Sequence, residues 1–427
     1  MTQDNLLEKV HALEAQLQNV KSLLATQPSG VEESGRSNAE QLAAARVELL
    51  ELANNLEYLA LGPTEWLKAS FAVTKYDHLV YYTLAHFPIH QHIPLDGQIT
   101  YTKLSTACSL PLDALKRILR HAMLNHLFTE PEPGYIAHSE ASRILATDAG
   151  MASWLGHNYD EVFRSFGLFP GTLERRGYSG GDDDDDGYGH PGRTACALTF
   201  DQPKGFFGGL LAEQPRRAKR FAEAMQAMTR GSHDPAHLVH GFNWGRYDGS
   251  RGLIVDVGGS SGFQSLAIAQ AHPGLRFVVQ DIEDHSAKLH EHISKSGVSS
   301  DITFQVHDFF TPNPQTAADV YFLRHIIHDW ADPYAIKILR NIASVMKPSA
   351  RIVIVDTVVP EPGVLPWQTE RTISFLNLQM MLMVNGKERS RQEWDELLIK
   401  ADARLKIVGV TQPKNSVASI IEVALVE

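Results

Sequence analysis

Cysteine is scarce in this chain: there are 2 among 427 residues, Cys108 and Cys196. Two thiols build neither a disulfide scaffold nor a four-cysteine zinc module, and such sparing use fits a reducing compartment. No uninterrupted apolar run approaches the roughly 18 residues that a membrane-spanning helix requires, so no membrane association is expected. A basic surplus is missing as well. Lys and Arg number 39 against 50 Asp and Glu, a formal charge of −11, which argues against nucleic acid as a partner. The opening residues, MTQDNLLEKVHALEAQLQNVKSLL, lack the basic stretch and apolar core of a secretory leader, so a cytosolic location is expected. What is present, 43% hydrophobic and 21% charged residues, is ordinary for a soluble enzyme long enough for about two to three folding units.

Leu6, Leu7, Val10, Leu13, Leu17, Val20, Leu23 and Leu24 fall on one face of an amphipathic helix. The stripe is short for a coiled coil and suits a helix that packs on a partner. Residues 26–38 (TQPSGVEESGRSN) have linker composition, and helical periodicity returns over 39–61. A first segment is therefore expected at 1–38 and a helical, winged-helix-like domain at 39–166. Within that domain, TKLSTACSLPLDALKRILRHAMLNHLF reads as a helix, a turn at Ser109, Leu110 and Pro111, and a second helix over about 112–127. FTEPEPGYIAHS then reads as two short strands around Pro131, Pro133 and Gly134. DNA binding through Lys116, Arg117 and Arg120 is one reading of this pattern. A dimerisation scaffold is preferred, because the surroundings are not basic.

Residues 167–199 read as a loop-rich insertion carrying an acidic run at 182–186. Asp182, Asp184, Asp186 and Gly187 match the opening of a calcium-binding EF-hand loop, but Arg193 stands where a bidentate Glu is needed. A solvated surface loop is expected instead. Over 200–427 the character changes. GLIVDVGG, RFVVQDI, ITFQVHDFF, ADVYFLRHII, ARIVIVDTVV and LKIVGVT alternate with helical stretches, the pattern of an open α/β, doubly wound sheet. The tail SVASIIEVALVE adds a late strand or a pair of strands.

In VDVGGSSG, Asp256, Gly258, Gly259 and Gly262 lie between a strand and a helix, where the chain must turn sharply and its backbone must approach a ligand. The spacing matches neither G-x-G-x-x-G nor the phosphate loop, and no Lys follows Gly262, which disfavours a nucleotide hydrolase. Asp281 ends the next strand, where an acid can accept both ribose hydroxyls. Asp308 follows the third strand with Phe309 beside it, suited to an adenine amino group and its ring face. Three strand ends delivering ligand groups at one sheet edge point to an adenosine-containing cofactor.

DVGGSSG, LRHIIHDW, VIVDTVVPEPG and NGKERS together closely resemble the S-adenosylmethionine-dependent small-molecule O-methyltransferases of plants and fungi, most of all the fungal sterigmatocystin 8-O-methyltransferase type. The resemblance is strong from Phe221 onward and weaker over 40–150. It implies a seven-stranded class I methyltransferase domain preceded by a winged-helix-like dimerisation domain, a homodimer, and S-adenosylmethionine as cofactor. It places Gly258, Asp281, Asp308 and Phe309 at the cofactor, along with Arg324, where relatives often carry Lys. His328 falls on the family's general base, and Asp356 and Glu388 on the two acids that flank it, Glu388 being the first choice to orient the ring.

These residue types suit the chemistry. A sulfonium is already a good leaving group, so the protein has to position an acceptor and remove its proton. A neutral imidazole can take the proton of a phenol, and a carboxylate on its other nitrogen fixes the tautomer. By resemblance, the expected substrate is a small aromatic phenol of polyketide origin. Met225, Met380, Met381 and Trp154 are candidates to wall its site, thioethers packing well on flat rings, although each also reads as plain core. His325, at i, i+3 from His328, has a spacing that binds metal, but no third ligand stands out along the chain and no metal is expected. Two alternatives share the pattern: a methyltransferase-fold pericyclase that binds the cofactor without moving a methyl group, and a ligand-sensing winged-helix regulator.

Overall fold

The computed structural model describes residues 3–25, 33–176, 189–228, 233–414 and 416–426; the acidic run at 182–186 lies outside them. The chain forms two compact units, Met1–Asp148 with Glu361–Thr372, and Ala149–Pro360 with Ile373–Glu427. The division falls at 148/149, whereas the sequence reading draws boundaries at 166 and 199.

The first unit is helical. α1 (Gln3–Ala25) packs along α2 (Glu33–Lys68), and Gln16 Nε2 donates to the Ala45 carbonyl at 2.9 Å in the buried seam. α2 begins inside the stretch read as linker, since Ser37 and Asn38 are weak helix formers rather than breakers. It kinks at Gly62 (φ 70°, ψ 166°), where Pro63 supplies no backbone N–H to continue the ladder. α3 (Tyr101–Cys108) is capped by Thr100, whose side chain accepts from Lys103 N, and it ends at Ser109 in the left-handed region. α4 (Leu112–Leu124) turns Leu115, Leu119 and Ala122 inward. Short strands Ile99–Thr100 and Tyr135–Ile136 pair antiparallel, and a bridge joins Thr129 to Ala137. The expected helix, turn, helix and strand pieces are therefore in place.

The second unit is α/β. Helices α5 (Ala149–His157) and α6 (Pro215–Met228) pack together. Seven strands follow: β1 (Leu253–Val257), β2 (Arg276–Asp281), β3 (Asp301–Val306), β4 (Val320–Arg324), β5 (Arg351–Asp356), β6 (Leu405–Thr411) and β7 (Ser419–Leu425). Their order is β6-β7-β5-β4-β1-β2-β3. β7 runs antiparallel to both neighbours and the central pairs are parallel. The tail is thus one strand, not two. β1, β4 and β5 are continuous runs of buried residues because helices cover both faces. Among these helices are α7 (Phe263–Ala271), α8 (Asp332–Ala343) and α10 (Arg391–Ala401), with α9 (Trp367–Met383) between β5 and α10. The strand order reverses between β1 and β4, which opens a crevice at their carboxyl ends. Among the described residues no helix is long and apolar enough to cross a membrane.

Candidate active site

β1 leads into the glycine bend. Gly258, Ser260 and Gly262 all have positive φ (75°, 48° and 74°), and Gly262 caps α7 from the left-handed region. A Cβ at Gly258 would lie 2.5 Å from Ile326 Cδ1, and one at Gly262 would lie 2.5 Å from Leu289 Cδ1, side-chain ends that can shift, so the left-handed backbone angle is what favours glycine. Gly259 lies against the Asp256 carboxylate in the same way, at 2.5 Å from Cγ. Asp256 is buried, accepts from Ser265 Oγ at 2.6 Å, and is pushed up to about 6 by burial. Asp281 ends β2 and accepts from Ser260 N at 3.0 Å, which ties the second strand end to the bend. Asp308 accepts from Phe310 N at 2.9 Å, and the Phe309 ring lies 3.8 Å from the Cβ position at Gly258.

On the other side of the crevice, β4 ends at Arg324. Its guanidinium donates to the His233 carbonyl at 2.9 Å, and burial pulls its pKa down to about 10 against the pull of Asp256 and Asp356. The next residue, His325, has φ 52°, and a short 3-10 turn, Ile327–Asp329, presents His328. Arg389, fully buried, holds that turn. It donates to the Ile327 carbonyl at 3.1 Å and the Trp330 carbonyl at 2.8 Å and pairs with Asp332 at 2.8 Å. Gly386 allows the segment to lie close, since a Cβ there would meet the His328 carbonyl oxygen at 2.0 Å.

The His328 ring is fixed by Glu388, whose Oε1 lies 2.7 Å from Nδ1. Asp356 at the end of β5 accepts the His328 backbone N–H at 3.2 Å instead of the ring, and Asp329 Oδ1 lies 3.6 Å from Nε2. Burial alone would lower this imidazole. The three acids, Glu388 first, reverse that and raise it to about 10. Burial pushes Asp356 up to about 7 and Asp329 to about 6, while Glu388 is held down by His328 and by a hydrogen bond from Thr357.

The fold thus gathers His328, Glu388 and Asp356 from three distant segments, and Asp256, Gly258, Gly259, Gly262, Asp281, Asp308, Phe309 and Arg324 along the same edge. The wall candidates are less focused. Met380 packs in an apolar cluster with Phe206, Phe207 and Phe221. Met225 and Trp154 are half-buried on the packed pair α6 and α5, and Met381 is half-buried on α9. Sequence reasoning missed Arg389, Gly386 and Asn377, whose side-chain oxygen accepts from Glu388 N at 3.0 Å. A charged residue inside the NGKERS motif was the available signal for Arg389. Spacing along the chain offers His325 and His328 no third metal-type ligand, but the fold brings Asp356 beside them, with one donor atom from each residue within 4.8 Å of the others. Spacing along the chain did not reveal it because Asp356 arrives on β5.

An O-methyltransferase domain family matches residues 212–403. The chain is 36% identical over 406 residues to an O-methyltransferase of Aspergillus terreus, pgmB, covering 93% of this chain and 87% of that protein. It is 34% identical to a chlorophenol O-methyltransferase of Trichoderma longibrachiatum, covering 90% and 80%. Among solved structures it resembles OxaC in complex with sinefungin and meleagrin (TM-score 0.78, 23% identity, 99% of both chains) and an enzyme described as a pericyclic reaction enzyme (TM-score 0.73, 22% identity, 96% of this chain and 100% of that one).

The residues present fit S-adenosylmethionine. The three glycines let the bend pack tightly onto Ile326, Asp256 and Leu289, and acceptor carboxylates stand at the next two strand ends. By sequence, fold and this fit, the chain belongs to the S-adenosylmethionine-dependent O-methyltransferases.

Proposed function

We propose that the protein methylates a phenolic hydroxyl of an aromatic, polyketide-type metabolite, with His328 as general base. The carrying observation is the 2.7 Å contact between His328 Nδ1 and Glu388, which leaves Nε2 for an acceptor proton. Bound S-adenosylmethionine supplies a methyl group on a sulfur that departs as a neutral thioether. Gly258, Gly259 and Gly262 bring the backbone close to it, with Asp256 bracing the bend. Asp281 would hold the ribose, Asp308 and Phe309 the adenine, and Arg324 would stand beside the cofactor.

The acid cluster sets the strength of the base. A phenol near pKa 10 gives up its proton most readily to a base of similar pKa, and Glu388, Asp329 and Asp356 move His328 in that direction. Glu388 also stabilises the imidazolium that forms. Asp356, on the backbone N–H, positions the turn. Met225, Met380, Met381 and Trp154 wall the acceptor. The chlorophenol enzyme among the relatives supports a phenolic acceptor.

We assign the helical unit to homodimer formation. Leu50, Leu61, Leu67, Phe71, Tyr76 and Leu79 are exposed on it, more apolar surface than a lone helical unit needs.

The test is a screen of purified protein and labelled cofactor against anthraquinones, xanthones and simple phenols. The expected result is a labelled product one CH2 heavier than its substrate, with one equivalent of S-adenosylhomocysteine. A product isomeric with its substrate, formed without demethylated cofactor, would establish the pericyclase alternative instead.

A further inference from the structure

Among the described residues, four buried polar atoms in the crevice have no hydrogen-bond partner: both ring nitrogens of His325, Oδ1 of Asp356 and Oε2 of Glu388. Orphaned buried polar atoms are uncommon, and each calls for a ligand. Two of them face one another. His325 Nδ1 lies 3.6 Å from Asp356 Oδ1, too long for a hydrogen bond, and the His325 ring centroid lies 5.1 Å from that of His328. The backbone of His325 is held in the left-handed region (φ 52°), an unusual conformation for a non-glycine residue.

We propose that His325, His328 and Asp356 form a binding site for a divalent transition-metal ion, Zn2+ being the natural occupant, and that an ion bound there blocks the base. This inference rests on the functional reading above for its inhibitory half only. Two imidazoles and one carboxylate form a donor set that takes zinc, cobalt or nickel in preference to magnesium or calcium. Two ligands bonded to one tetrahedral zinc at about 2.0–2.1 Å lie roughly 3.3 Å apart, so donors already within 4.8 Å need only small side-chain rotations. Glu388 occupies His328 Nδ1, leaving Nε2 for the ion. A carboxylate on the far nitrogen is the second contact that metal-binding histidines usually carry, and here it is prebuilt. Three carboxylates, Asp356, Glu388 and Asp329, surround the His328 ring. Coordination forms two metal–nitrogen bonds and one metal–oxygen bond, and any proton on a ring nitrogen passes to solvent. The ion then sits on the nitrogen that would receive the substrate's proton.

The experiment uses untagged, EDTA-treated full-length protein, titrated with Co2+ alone and then with Zn2+. The expected results are visible d–d bands at one equivalent of Co2+, loss of those bands when Zn2+ displaces it, and inhibition of methyl transfer by Zn2+ that EDTA reverses. His325→Asn is the informative variant, because Asn tolerates the left-handed backbone and the fold should survive. Its metal-free turnover should stay within about twofold of the parent's, while the bands vanish and the Zn2+ needed for half-inhibition rises at least about tenfold. Absence of the bands, or bands and inhibition unaltered by His325→Asn, overturns the site. Bands that depend on His325 in a chain that transfers no methyl group would uphold the site and overturn the functional reading.

Discussion

The glycine bend at 256–262 and the His328 turn lie at the same edge of the sheet, yet one is made of backbone and the other of side chains. The bend is local. Three positive-φ residues and three missing Cβ atoms are encoded within seven consecutive positions, and Asp281 joins by one hydrogen bond. The turn is assembled across the chain: its ring partner is 60 residues away, its backbone partner 28, and Arg389 ties its carbonyls from 62 and 59 away. The bend can hold a ligand without choosing a reaction. The turn carries the acid–base chemistry, and its properties follow from charge placed by the tertiary fold.

Removing the imidazole should therefore separate the two halves most sharply, and it carries the largest expected effect. His328→Ala should cut turnover by about 10²–10⁴-fold, the usual contribution of a general base. The cofactor half, built from other segments, should be untouched, so its dissociation constant measured by calorimetry should stay within about threefold of the parent value. A comparable loss of cofactor affinity would mean that the two halves are not independent.

Glu388→Gln sharpens the comparison inside the turn. His325 and His328 are three residues apart and both half-buried. His325 makes no hydrogen bond to a carboxylate and is pushed well below the ordinary imidazole value by burial, whereas His328 is raised. Partners, not depth, decide the sign. A base works only when deprotonated, so turnover should climb with pH, and a raised His328 puts that climb on the alkaline side of the ordinary value of 6.5. Replacing the carboxylate with an amide removes the largest favourable interaction of the imidazolium, so the climb should move toward acid. Plateau turnover should fall about 10- to 100-fold, the worth of a hydrogen bond to a charged group. An unshifted pH profile would remove Glu388 from this role.

What was legible in the sequence divides along the same line. Strand runs such as LIVDV and RIVIVD announce a doubly covered sheet, and the helix over Phe263–Ala271 follows its glycine. The helix that starts at Glu33 is hidden in a linker-like composition because its polar residues are weak helix formers and not breakers. The pairing of Glu388 with His328 was reached only through resemblance, since nothing in a separation of 60 residues says that two groups meet. Arg389, Gly386 and Asn377 were missed for the same reason. Their work is to meet backbone atoms or neighbours that only the folded turn presents, the His328 carbonyl among them. Asp356 as a partner of His325 belongs to that group too.

The smallest expected effect tests the bend. Gly258→Ala adds one methyl at φ 75°, 2.5 Å from Ile326 Cδ1. The strain of a left-handed alanine and the displacement of Ile326 should together cost about 1–2 kcal/mol of stability. That is a fall of several degrees in melting temperature for a domain of this size. Because the same bend approaches the cofactor, its dissociation constant should rise about three- to tenfold. Turnover at saturating cofactor should hold, and the pH profile should not move, because no charge near His328 changes. Ile326 is one route by which the two halves could communicate, since it packs against the bend and leads into the turn. A shifted profile in this variant would show that the backbone half also tunes the base.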